Sequence, residues 1–139
     1  MTEPLHTTRL PVRWSDMDEL GHVNNAVYQT YFEQARIELF HHWADDGRSW
    51  PGAPETGPVL VAVEAQFKKP VVYPATVVVR VAAGEVGRTS LGLDCELTVE
   101  GDDATVYATA RTTLVWIDRT TGRAVRLPDA LRQRLGADS

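Results

Sequence analysis

Apolar positions along the chain follow two regimes. Between Ala26 and Trp43 they recur at Tyr28, Tyr31, Phe32, Ala35, Leu39 and Trp43, the 3.6-residue period of an amphipathic helix, while Ala26, Ile37 and Phe40 form a second strip elsewhere on the wheel. Such a helix calls for cover on more than one side. From residue 61 the period drops to two, through Val61, Val63, Ala65 and Phe67, then Val77, Val79, Val81 and Ala83, then Leu91, Leu93, Cys95, Leu97 and Val99. These segments predict strands, and a further strand is expected from Thr105 to Ile117. Turn residues separate or follow them at VYPAT, GEVGR, EGDD and DRTTGR. Nothing helical intervenes, so the strands are expected to join as antiparallel hairpins.

Residues 5 to 13 alternate weakly and predict a first strand. The stretch ADDGRSWPGAPETGP, residues 44 to 58, carries three Gly and three Pro and predicts a long loop, either a surface excursion or a lid. The closing PDALRQRL predicts a short helix with Pro128 in its first turn. The resulting order is strand, one long apolar helix, then four or five consecutive antiparallel strands, an α+β chain whose helix is best buried if a curved sheet wraps around it. No repeat, low-complexity tract or linker divides the sequence, and one domain is expected over residues 1–139.

Composition narrows the function. A chain of 139 residues with 43% hydrophobic content can bury a core without staples. Its net charge of -5, from 14 basic and 19 acidic residues without a cationic block, argues against a phosphate-backbone binder, so no nucleic-acid partner is expected. Cys95 is the single cysteine, and no CxxC or paired Cys/His spacing suggests a metal; His22, His41 and His42 show no ligand spacing either. Cys95 alternates with acids along a strand and reads as a small buried apolar residue. The start, MTEPLHTTRLPVRW, lacks the apolar core of a signal peptide, and no stretch approaches the ~20 apolar residues of a membrane span. A cytoplasmic protein without a membrane partner is expected.

The unusual chemistry lies just before the long helix, where Asp16, Asp18, His22, Asn24 and Asn25 crowd together. A helix start leaves backbone N–H groups unpaired, and one Asn or Asp side chain commonly caps them. One cap needs one residue, so several of these remain to be explained. The run Asp16-Met17-Asp18-Glu19-Leu20-Gly21-His22-Val23-Asn24-Asn25, followed by Tyr28, Tyr31, Phe32, Glu33 and Ala35-Arg36, resembles the DxDxxGHVNNxxYxxYFExAR signature of the 4-hydroxybenzoyl-CoA thioesterase-like branch of the hotdog superfamily. Gly87-Arg88-Thr89-Ser90-Leu91 is weakly similar to the sheet motif of the same family.

The resemblance implies a hotdog fold of about five to six antiparallel strands around one central helix. It also implies a homodimer or homotetramer with active sites at the subunit interface, and hydrolysis of an acyl-CoA thioester to a free acid and CoA. The second acid of the DxD pair is catalytic in that family, which points to Asp18, and the Asn25 position polarises the carbonyl. Arg88, Thr89 and Ser90 correspond to positions that contact the phosphates of CoA. No metal or organic cofactor is implied, CoA being part of the substrate.

The chemistry agrees with this reading. A thioesterase needs a group that attacks or activates water, and a donor for the charge growing on the carbonyl oxygen. A helix start beginning near Asn25 supplies the donor through its free N–H groups and dipole. Gly21 lets the chain turn without a side chain in the acyl path, Asn24 fixes the turn, and His22 stands between a structural hydrogen-bonding role and a direct catalytic one. Residue types leave open whether Asp18 is nucleophile or general base. Asp16 reads as a brace for the loop. Tyr28, Tyr31 and Phe32 read mostly as core, and Lys68 and Lys69 as solubilising lysines near a strand end. Two other functions fit the same chain: an acyl carrier protein thioesterase using the same carboxylate, and a non-catalytic acyl-CoA binding or sensing module.

Overall fold

The structure, a computed structural model, describes residues 2–137. Strand β1 (His6–Pro11) leads through a 3-10 turn at Trp14–Asp16 into helix α1 (Asn25–Trp43). Strands β2 (Thr56–Phe67), β3 (Thr76–Val86), β4 (Ser90–Val99) and β5 (Ala108–Asp118) follow, and α2 (Asp129–Arg134) closes the chain. All five strands form one antiparallel sheet in the order β1-β3-β4-β5-β2.

Period-two alternation places Val77, Val79 and Val81 of β3, Leu91, Leu93 and Leu97 of β4, and Ala108 and Trp116 of β5 in a single core with Tyr28, Phe32, Ala35, Leu39 and Phe40 of α1. These side chains leave water almost completely, which is the main force holding helix and sheet together. A polar tie adds direction. Glu38 of α1 accepts from Thr8 Oγ1 at 3.0 Å and pairs with His6 Nε2 at 3.2 Å, so the helix is drawn toward β1. At the opposite edge β2 is left largely exposed.

Several boundaries depart from the sequence reading. The connection from β2 to β3 is no hairpin: β2 pairs with β5, and residues 68–75 cross the end of the sheet to reach β3. Periodicity reports which residues face a core, not which strand lies alongside, so this crossing is invisible to it. The expected loop over 44–58 ends sooner, since β2 already begins at Thr56. Its first residues include Gly57 and Pro58, which read as breakers. Pro58 is tolerated on an edge strand, and Gly57 leaves room for the Trp50 indole, whose Nε1 donates to the Thr56 carbonyl at 2.7 Å. The last strand begins at Ala108 instead of Thr105, because the Asp102 carboxylate captures the Thr105 and Tyr107 hydroxyls, both at 2.8 Å, in a turn. Pro128 precedes α2 as its N-cap residue instead of lying in its first turn. The second apolar strip of α1 is only partly covered: Phe40 is buried, while Ile37 and Ala26 are exposed.

Candidate active site

The loop from β1 to α1 is built around a buried acid. Asp16 is 1% exposed, yet its carboxylate is fully engaged. It accepts from the Arg13 backbone N–H at 3.0 Å, from Arg13 Nε at 3.0 Å and from the Tyr31 hydroxyl at 2.7 Å, with Arg13 Nη2 at 2.8 Å. Burial alone pushes this carboxyl's pKa up, but the Arg13 N–H, the Tyr31 hydroxyl and the Arg13 guanidinium together hold it below the ordinary carboxylate value. Tyr31 moves the other way, its pKa raised by burial and by the Asp16 carboxylate it donates to. The Asp16 carbonyl also accepts from the Asn24 N–H at 3.0 Å, which ties the loop to the helix start.

Between these ties residues 18–22 project as a tight reversal. The Asp18 N–H donates to the His22 carbonyl at 3.0 Å and the Gly21 N–H to the Asp18 carbonyl at 3.1 Å, with an antiparallel bridge between Met17 and Val23 just inside. Gly21 takes φ +84°, a left-handed conformation that disfavours any side chain, and nothing stands within 4 Å of where a Cβ would lie. Asp18 Oδ1 accepts from the Leu20 N–H at 2.9 Å, while Oδ2 has no hydrogen-bond partner among the described residues.

Helix α1 starts immediately afterwards. Asn24 is its N-cap, with Oδ1 accepting from the Ala26 N–H at 2.8 Å, and the Val27 N–H donates to the Asn24 carbonyl at 2.9 Å. The Asn25 N–H is left without a partner among the described residues, at the positive end of a 19-residue helix. Asp18, His22 and Asn25 all line one cleft of about 440 Å³, completed by Leu20, Tyr28 and the segment Phe67–Pro70. Tyr28 accepts from the Val71 N–H at 3.3 Å, and burial raises its phenol pKa, so it serves as a neutral wall. Lys68 and Lys69 sit at the rim; Lys69 is 3.6 Å from Asp102 and lies over the Tyr107 ring.

The expected residues therefore separate into two groups. Asp18, Gly21, His22, Asn24 and Asn25 come together. Arg88, Thr89 and Ser90 do not join them within one protomer: they form the β3–β4 hairpin, whereas the Asp18 loop lies beside the opposite end of β3, where Pro11 pairs with Thr76. The 11 residues of β3 separate the two ends, roughly 30 Å at the usual rise. His41 and His42 lie at the far end of α1 from His22, and among the described residues no group of three or more His, Cys, Asp or Glu converges. Trp14, Met17, Leu20 and Tyr73 near Asp18 were missed by sequence reasoning. Their signal was present, since Trp14 and Tyr73 are aromatic residues set inside polar or turn-forming stretches.

A sequence profile described as the thioesterase-like superfamily matches residues 12–135. The chain belongs to that superfamily. Among its relatives is the long-chain acyl-CoA thioesterase FadM of Escherichia coli (strain K12), 29% identical over 128 residues that cover 92% of this chain and 95% of FadM. Among solved structures, the PA2801 protein of Pseudomonas aeruginosa superposes with a TM-score of 0.86 at 39% identity, covering 94% of this chain and 98% of that one. A thioesterase from Thermus thermophilus, solved with coenzyme A and Zn, superposes with a TM-score of 0.80 at 32% identity, covering 97% and 100%. The expected hotdog arrangement, one helix held by one antiparallel sheet, is the fold of this thioesterase-like chain. Among the described residues no helix is long and apolar enough to cross a membrane.

Proposed function

We propose that this thioesterase-like protein hydrolyses acyl-CoA thioesters, with Asp18 as the reacting carboxylate and the Asn25 N–H as the donor that polarises the carbonyl. One observation carries the reading: an acid with one oxygen, and a helix-start N–H, that have no hydrogen-bond partner among the described residues line the same cleft. FadM and the CoA-bound Thermus relative support acyl-CoA as the substrate.

The thioester oxygen sits at the Asn25 N–H, where charge developing in the transition state meets a fixed dipole in place of reorganising water. Such a donor is worth about a hundred- to a thousandfold in rate. Asp18 then attacks the carbonyl carbon itself or takes a proton from an attacking water. Either way the carbon–sulfur bond breaks, the sulfur leaves as CoA thiol, and water supplies the oxygen of the free acid. Gly21 keeps the approach clear, Asn24 holds the helix start, and His22 contacts the acyl carbonyl from the cleft wall. The attacking group is water or the Asp18 carboxylate, so the proposed reaction calls for no metal or organic cofactor, CoA being part of the substrate. The lone buried Cys95 fits a reducing, cytoplasmic setting.

The active unit is a homodimer formed through β2. This edge strand exposes Val59, Leu60, Val61, Val63 and Phe67, with Val61 56% exposed, apolar side chains on both faces of a strand that pairs with β5 along one edge and with no described strand along the other. Two-fold antiparallel pairing of β2 with a second copy would satisfy that edge and cover part of this apolar surface. It would also bring the far end of the partner's sheet beside this protomer's cleft, so that the partner subunit's Arg88 and its neighbouring hydroxyls face the phosphates of CoA. The test is CoA release from acetyl-, butanoyl-, octanoyl-, hexadecanoyl- and benzoyl-CoA, with sedimentation run in parallel. Turnover of at least one substrate by a dimer or a multiple of it is expected. A monomer, or a folded protein that cleaves none of them, overturns the respective part.

A further inference from the structure

Asp18 lines a second cleft besides the one that holds Asn25. This one, of about 580 Å³, is walled by Trp14, Ser15, Met17, Gly21 and Tyr73 and contains no charged side chain other than Asp18. The two clefts are walled from opposite sides of the sheet order. Phe67 of the first ends the edge strand β2 and Lys68–Pro70 follow it, whereas in the second Trp14 follows the other edge strand, β1, and Tyr73 leads into its neighbour β3. Between them the chain is pinned down: Val71 and Val23 are buried and joined by a 2.8 Å backbone hydrogen bond. The Tyr73 N–H donates to Met17 Sδ at 3.4 Å, holding the two walls of the second cleft together.

The contents of the two clefts differ in chemistry. The first carries the rim lysines Lys68 and Lys69 and the free Asn25 N–H, so it suits the phosphate-bearing part of the substrate and its thioester oxygen. The second offers an indole, a thioether and a phenol ring. Trp14 is 76% exposed and Tyr73 is 42% exposed. A single exposed aromatic needs no explanation, but two facing a reactive carboxylate form a ready surface for a hydrocarbon.

Resting on the thioesterase reading above, we propose that this second cleft is the acyl subsite, that Trp14 and Tyr73 are its specificity-determining residues, and that the substrates are unbranched medium- to long-chain acyl thioesters. The chain leaves the carbonyl at Asp18 away from the β2 edge and lies along the Trp14 indole. An open-sided groove sets no sharp upper limit on length. Each added methylene that reaches the groove raises kcat/KM by about twofold, roughly half the gain of complete burial. A short acyl group stops before the indole, and a rigid aromatic acyl group covers little of it.

The experiment is kcat/KM for acetyl-, butanoyl-, octanoyl-, dodecanoyl- and hexadecanoyl-CoA below their micellar concentrations, for the full chain and for Trp14→Ala, Trp14→Phe and Tyr73→Ala. Sedimentation of each variant accompanies it. The full chain is expected to favour the longer substrates, Trp14→Ala to lower the dodecanoyl-to-butanoyl ratio at least tenfold, and Trp14→Phe to restore most of it. A ratio that stays constant in Trp14→Ala and Tyr73→Ala, or a full chain indifferent to length, overturns the acyl subsite while leaving the thioesterase reading in place. Absence of turnover on every substrate overturns the thioesterase reading itself. Dissociation of the assembly by Trp14→Ala would assign this surface to contact between copies of the chain and overturn the subsite.

Discussion

Asp16 and Asp18 stand two residues apart on one loop and live in different environments. Asp16 is enclosed, with Arg13 and Tyr31 occupying its carboxylate oxygens. Asp18 lies at the junction of two clefts, and among the described residues its carboxylate has a single intraloop hydrogen bond that leaves one oxygen without a partner. A carboxylate saturated by protein donors has no oxygen left for chemistry, and one with a free oxygen facing solvent contributes little to folding. The loop thus divides its labour: the first acid fixes the backbone that presents the second.

This contrast can be tested in descending order of effect. Asp18→Ala should lower kcat by about a hundred- to ten-thousandfold, the range for removing a reacting general base, with little change in unfolding midpoint. Steady-state CoA release and thermal unfolding of the same preparation measure both. Asp16→Ala should act mainly on stability, by about 2–3 kcal/mol in urea titrations, because it strands the buried Tyr31 hydroxyl and frees the Arg13 side chain. Tyr31→Phe removes one of those bonds and should cost about 1–2 kcal/mol. Gly21→Ala should cost about 1 kcal/mol, since its Cβ meets no neighbour and only the left-handed backbone opposes it.

The pH dependence follows from Asp16. Its carboxyl pKa is lower folded than unfolded, so its ionised form favours the folded state. That contribution is present above the unfolded carboxyl value of about 3.9 and is lost as pH falls through the folded value. Urea titrations should therefore show the margin of the parent over Asp16→Asn shrinking below about pH 4.

Much of this architecture is legible in the amino-acid sequence. The 3.6-residue stripe locates α1 to within one residue at its start, and alternation locates β3 and β4, because both signals report burial against a single core. The cluster at 16–25 singles out the candidate site, since a helix start needs one cap and this one offers five polar residues. What stays hidden depends on long-range placement. The crossing that carries β2 to the far edge leaves no trace in local periodicity, and it is what leaves the apolar side chains of β2 exposed, while the pairing of β1 with β3 sets the Asp18 loop and the Arg88 hairpin at opposite ends of β3. The Trp14 and Tyr73 cleft is hidden for the same reason: 59 positions apart in the chain, the two are brought together by the pairing of β1 with β3, by the Val12 N–H to Ala75 carbonyl bond that continues it, and by the contact of Met17 with Tyr73.

The most direct test of the account compares Asp18→Asn with Asp16→Asn, each scored for acyl-CoA hydrolysis and for unfolding midpoint. Both changes remove a charge while nearly preserving shape. The account predicts opposite outcomes: Asp18→Asn loses at least about a hundredfold in kcat at an unchanged midpoint, whereas Asp16→Asn lowers the midpoint and keeps most of its turnover well below that temperature. An Asp18→Asn protein that hydrolyses acyl-CoA at the parent's rate would contradict it.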